Sequence, residues 1–137
     1  MAKKILLIED DLFVRDIYTS ELRKGNYEII IAEDGQEGVD KTKAEKYELI
    51  LLDIMLPKKT GIDALKEFRM STNPNKETAV YLLTNLGQGS IIKQAIEMGA
   101  QGYLLKARVL PSQVLKAVND FFETGPMKID LKEFGLE

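Results

Sequence analysis

Five short apolar runs, separated by longer amphipathic stretches, constrain the fold more than any other feature. They are residues 5–8, 28–32 (with Glu28 at the edge), 49–52, 79–83 and 103–105. Runs this short suit β-strands buried on both faces. Between them, apolar residues recur at helical spacing. Val14, Ile17, Tyr18 and Leu22 form one such face, and Ala64, Leu65 and Phe68 a weaker one. Ile91, Ile92, Ala95 and Met98 form another. Val114, Leu115, Val118, Phe121 and Phe122 follow Pro111, a residue suited to a first helical turn. Gly25 and Gly99 stand where two of these helices would stop. Residues 35–44 are the thinnest helical stretch, with Val39 and Ala44 as its main apolar members.

Strand and helix thus alternate five times. This implies an α/β fold: a doubly wound, five-stranded parallel sheet with helices on both faces. The order 2-1-3-4-5 is expected by analogy with the flavodoxin-type class, and right-handed crossovers leave few alternatives. A length of 137 residues is enough for one such domain with a real core. Residues 1–123 are assigned to it. Gly125-Pro126 breaks the last helix, and residues 124–137 read as a C-terminal extension or a linker stub.

Two absences narrow the chemistry. The chain has no cysteine and no histidine. Disulfides, thiolate nucleophiles, Ser-His triads and His-ligated zinc are therefore excluded. A nucleophile must be Asp, Glu, Ser, Thr, Lys or Tyr. A metal must be held mainly by oxygen, which favours Mg²⁺, Mn²⁺ or Ca²⁺. The net charge of -3, without a basic stripe, argues against direct nucleic-acid binding. No signal-peptide pattern and no apolar run of membrane-spanning length is found, so a cytoplasmic location away from the membrane is expected.

In doubly wound sheets, ligands bind outside the C-terminal ends of the strands. Glu9, Asp10 and Asp11 follow the first run, and Asp53 follows the third. The fourth run ends in Thr84 and the fifth in Lys106. Carboxylates, a hydroxyl and an ammonium would thus converge on one edge. Clustered carboxylates repel, and a divalent cation relieves the repulsion. Lys106 supplies a point charge and Thr84 a hydroxyl donor for a phosphoryl oxygen. One carboxylate can attack phosphorus. Singly, each residue has an ordinary explanation; Asp11 reads as the N-cap of the following helix. Their serial placement on one edge is the signal.

With these residues in place, the chain resembles the receiver domain of two-component response regulators. The matching segments are ILLIEDD at 5–11, LILLDIMLPKKTGID at 49–63, YLLTN at 81–85 and GAQGYLLKA at 99–107. The resemblance implies that Asp53 is the phosphoacceptor. It implies Mg²⁺, with Mn²⁺ as an alternative, bound by Asp10, Asp53 and the Met55 carbonyl, with Glu9 acting through water. Thr84 resembles the switch hydroxyl and Tyr103 the aromatic switch. Lys106 resembles the lysine that pairs with the phosphoryl group. Pro57 and Gly61 fit the loop after the phosphorylated strand, where glycine accepts unusual backbone angles.

The implied partners are a sensor histidine kinase or a His-containing phosphotransfer protein. A downstream effector, or a second copy of the chain, would dock on the fourth helix, fifth strand and fifth helix. The chain is expected not to be an enzyme beyond assisting its own phosphorylation and dephosphorylation. Four positions depart from the family pattern or bear on lifetime. Ala107 stands where proline commonly follows the lysine. Asn85 stands where a small residue is common. Met55 and Leu86 flank the expected path of attacking water and are expected to slow hydrolysis.

Three other readings fit less well. Haloacid-dehalogenase-type phosphatases carry a second Asp two positions after the nucleophile, where this chain has Met55. A nucleotide or flavin module would need GxGxxG or GxxxxGK[ST], and neither occurs. A degenerate receiver used only for binding conflicts with the full set of acidic pair, Asp53, Thr84 and Lys106.

Overall fold

The computed structural model describes residues 2–85 and 89–129. The strands are β1 (Lys4–Ile8), β2 (Glu28–Ala32), β3 (Leu49–Asp53), β4 (Ala79–Thr84) and β5 (Gly102–Leu105). The helices are α1 (Leu12–Arg23), α2 (Gly35–Ala44), α3 (Gly61–Phe68), α4 (Gly89–Glu97) and α5 (Pro111–Thr124). All strand pairs are parallel, in the order β2-β1-β3-β4-β5. The α/β doubly wound architecture expected from the alternation is therefore the one observed.

Side chains alternate across each strand, so the sheet feeds two cores. Ile5 and Leu7 pack with α1 and α5 through Tyr18, Leu22, Val114 and Val118. Leu6 and Ile8 face the other way, toward Val39 of α2, Phe68 of α3 and Ile92 of α4. Every residue of β3, β4 and β5 is buried, which explains why these strands read as continuous apolar runs.

Local chemistry sets the helix starts. Asp11 caps α1 by accepting from Val14 N–H at 3.1 Å. Asp34 caps α2, accepting from Glu37 N–H at 2.8 Å, and Thr60 caps α3, accepting from Asp63 N–H at 3.2 Å. Pro111 opens α5 as expected. Gly99 ends the α4 segment with φ of 102°.

Two glycines serve a different purpose from the one expected. Gly25 does not supply the left-handed residue after α1; Asn26 does, with φ of 64°. A Cβ on Gly25 would lie 2.8 Å from the Tyr27 ring and 2.9 Å from Leu115, so the position needs space rather than freedom. Gly61 likewise lacks an unusual φ. The left-handed residue of that loop is Lys58, with φ of 65°. A Cβ on Gly61 would lie 2.5 Å from the Asp53 carbonyl oxygen, so its absence lets α3 start hard against β3.

The loop from Ile54 to Thr60, which carries Met55, is braced by α2. Gly35 N–H donates to the Pro57 carbonyl at 3.4 Å, and Lys58 pairs with Asp34 at 3.4 Å. A Cβ on Gly35 would lie 1.8 Å from the Lys59 carbonyl oxygen. On Gly38 it would meet the Ile8 side chain rather than backbone, 2.7 Å away at Cδ1 and 3.3 Å at Cγ1 and Cγ2. Gly38 lies inside α2, where alanine brings a propensity gain of about 1 kcal/mol, whereas Gly35 opens the helix and gains less. Backbone overlap outweighs that gain; displacement of one side chain does not. Chemical denaturation should show Gly35→Ala destabilised by about 2 kcal/mol or more, and Gly38→Ala within about 1 kcal/mol of the parent.

Candidate functional site

The connections leave β1 and β3 in opposite directions, and this switch point opens a crevice at their C-terminal ends. Glu9 and Asp10 follow β1, Asp53 ends β3, Thr84 ends β4, and Lys106 follows β5. A cleft of about 430 Å³ lined by Glu9, Asp10, Asp53, Met55, Asn85 and Lys106 lies there. A larger depression of about 940 Å³ sits at the opposite end of the strands, beside Lys46, Glu77 and Phe122, and holds none of these residues.

Asp53 is 5% exposed. Its Oδ2 accepts from Lys106 Nζ at 3.0 Å and its Oδ1 from Met55 N–H at 3.1 Å. Glu9 is fully buried. Its Oε2 accepts from Asp11 N–H at 3.3 Å. Its Oε1 lies 2.5 Å from Lys106 Nζ as an ion pair. One ammonium thus serves two buried carboxylates. Burial pushes Glu9 up to about 7, Lys106 opposes the rise, and Asp53 adds to it. Burial alone would lower Lys106, but Glu9 and Asp53 together hold it above the ordinary lysine range.

Carboxylate oxygens of Glu9, Asp10 and Asp53 all lie within 4.8 Å of one another. Three hard oxygen donors, one of them on a fully buried carboxylate, fit a divalent cation of the Mg²⁺ type.

Thr84 is buried, and its hydroxyl donates to the Asn85 carbonyl at 3.3 Å. Asn85 itself is exposed and lines the cleft, so its side chain stands at the mouth. Tyr103 is buried in the α2–α4 core. Met55 is 59% exposed at the cleft wall. Leu86 lies outside the described residues. The backbone contains no cis peptide among them, Lys106–Ala107 included.

The sequence reading passed over one residue. Arg15 on α1 is buried, and its Nη1 donates to the carbonyls of Glu9 at 3.1 Å and Asp10 at 3.3 Å. Its Nη2 pairs with Glu33 at 3.1 Å. It holds the backbone of the acidic loop from beneath. A signal existed: Arg15 shares the helical face of Tyr18 and Leu22, and an arginine on an apolar face must find partners.

A carboxylate trio and a bridging lysine at the switch point of a doubly wound sheet make a site that can hold a divalent cation. A family model described as the response regulator receiver domain matches residues 5–119. The chain belongs to that family, the phosphoacceptor signalling switches of two-component systems. The chemotaxis protein CheY of Thermotoga maritima is 33% identical over 120 residues, which is 87% of this chain and 97% of that one. The structure of Vibrio cholerae CheY4 superposes with a TM-score of 0.79 at 27% identity, covering 87% of this chain and 98% of CheY4. The receiver domain of the Pseudomonas aeruginosa sensor kinase PA1611 shares the fold, with a TM-score of 0.79 at 22% identity over 90% of this chain and all of that one. That protein carries a magnesium ion coordinated in its active-site cleft.

The raised Glu9 carboxyl has a stability consequence. Folded Glu9 holds its proton more tightly than an unfolded glutamate does. Its contribution is complete below about pH 4.5 and is lost as pH rises through about 7. In thermal melts of metal-free protein, the parent should lose stability relative to Glu9→Gln between pH 5 and 7.5. Added Mg²⁺ should remove much of that loss. Parallel pH profiles would contradict the assignment.

Proposed function

We propose that Asp53 accepts a phosphoryl group from a phosphohistidine on a sensor histidine kinase or a His-containing phosphotransfer protein. The observation that carries this reading is the clamped Asp53 carboxylate, held by Lys106 and Met55 N–H beside two further carboxylates. The clamp restricts the carboxylate to one orientation with its face toward the cleft. An Asp53 oxygen forms the bond to phosphorus while the phosphorus–nitrogen bond breaks and the imidazole leaves with the electron pair. Lys106 then pairs with a phosphoryl oxygen.

Asp10 and Asp53, with the Met55 carbonyl, would hold Mg²⁺ or Mn²⁺ directly, and Glu9 would act through water. When bound, the cation offsets the charge on the transferring oxygens. Buried Glu9 and its neighbours otherwise carry more negative charge than Lys106 can balance, which supports that donor set.

The phosphoryl group adds charge and acceptors beside Thr84. The Thr84 hydroxyl leaves the Asn85 carbonyl and turns toward it, Tyr103 repacks, and the surface of α4, β5 and α5 changes. A downstream effector, or a second copy of the chain, reads that surface. The chain acts in the cytoplasm and turns over no substrate beyond its own phosphoryl group. No described helix is long and apolar enough to cross a membrane.

Incubation with Mg²⁺ and acetyl phosphate, followed by intact-mass measurement, should add one phosphoryl group to the parent and none to Asp53→Asn. Equal labelling of both would reassign the acceptor. Exposed Met55 shields the cleft from attacking water. Met55→Gln should therefore shorten the phosphorylated lifetime several-fold when decay is followed after donor removal, and an unchanged lifetime would count against that role.

A further inference from the structure

We infer that the outer edge of β5 is an interaction surface for an extended peptide segment presenting an unbranched apolar side chain, occupied in cis by residues 125–129 of this chain. These residues lie beyond the family match, which ends at residue 119.

After α5, Gly125 adopts φ of 91° and turns the chain back. Met127 N–H donates to the Tyr81 hydroxyl at 2.9 Å. Tyr103 N–H, on β5, donates to Met127 Sδ at 3.4 Å. Gly102 forms a notch for this side chain. A Cβ there would lie 2.8 Å from both Met127 Sδ and Tyr81 Cε1 and 2.9 Å from Met127 Cγ, so Met127 and the Tyr81 ring close on the notch together. Met127 packs with the core on the α1–α5 face, whereas Ile129 packs with the core on the α2–α4 face. Two residues apart, they reach opposite faces of the sheet, so the segment crosses the edge of β5.

The occupant is a replaceable one. Thioether sulfur is a weak acceptor, and a peptide carbonyl would satisfy the Tyr103 N–H better. An added strand is the ordinary partner of an exposed edge. The cis segment competes through its effective concentration, which is of millimolar order for a short connection. A partner that pairs with the Gly102–Tyr103 stretch of β5 would displace it. This consequence for signalling rests on the proposed output surface; the surface and its occupant do not.

The test uses the full chain labelled with ¹⁵N, without phosphorylation, and a synthetic peptide of residues 124–129. Met127→Ala weakens the cis segment. The peptide should shift the Gly102 and Tyr103 amides of that variant at concentrations at least tenfold below those needed for the parent. A peptide with alanine in place of its methionine should not, nor should the peptide act on Met127→Ala combined with Gly102→Ala. The Tyr103 amide should also exchange hydrogen at least tenfold faster in Met127→Ala than in the parent, with Leu6 and Leu51 amides unchanged as a check on the fold. Should Met127→Ala fail to fold, Met127→Leu, branched where the notch takes an unbranched chain, replaces it. Equal titration of parent and variant, no titration of either, or unchanged Tyr103 exchange would overturn the inference. None of these readouts depends on Asp53 accepting a phosphoryl group.

Discussion

Two buried carboxylates share one ammonium, and the rest of the site follows from that imbalance. Lys106 lies against both Glu9 and Asp53, and Asp10 stands close by. Burying charge is costly unless it is paired. Burial pushes Glu9 up toward neutrality, Asp53 adds to the rise, and the single lysine offsets it only in part. The pocket is therefore preset to gain from additional positive charge.

The fold makes this arrangement possible by spending its backbone elsewhere. Parallel pairing satisfies the strands, and caps satisfy the helix starts, so the loops at the C-terminal edge are free to carry chemistry. Those loops are nonetheless held firmly. Arg15 grips the carbonyls of Glu9 and Asp10 from α1. The Met55 loop is pressed against α2 through the close approach at Gly35. At the far side, Tyr103 links the site's neighbourhood to the edge of β5, where its backbone N–H meets Met127. The chemical cleft and the outer edge of the sheet are thus joined through one short strand.

Much of this was legible in the chain. The five apolar runs marked the strands because strands buried on both faces must be apolar throughout. Glu9, Asp53, Thr84 and Lys106 were legible as a group because a parallel sheet brings every strand's C-terminal end to one edge. Arg15 was missed because its value depends on carbonyls that turn toward it only after α1 docks. Gly25 was read as a helix stop and does follow the end of α1, and Gly61 was read as a loop glycine of unusual angles, yet both are sites of close approach, with Asn26 and Lys58 taking the left-handed conformation. Conformational freedom is a local property, but a close approach belongs to two distant segments and leaves no local trace.

By itself the sequence determined the alternation of elements, the parallel sheet it demands, the absence of thiol and imidazole chemistry, and the residues that reach the functional edge. These follow from periodicity, composition and serial position, which tertiary contacts do not alter. Only the tertiary structure decided that Lys106 bridges Glu9 and Asp53 and that Arg15 supports the acidic loop. It alone decided that Met127 seats in a notch left by Gly102. Each of these joins groups far apart in the chain. Their energies come from distance, burial and direction, quantities that exist only once the chain has closed on itself.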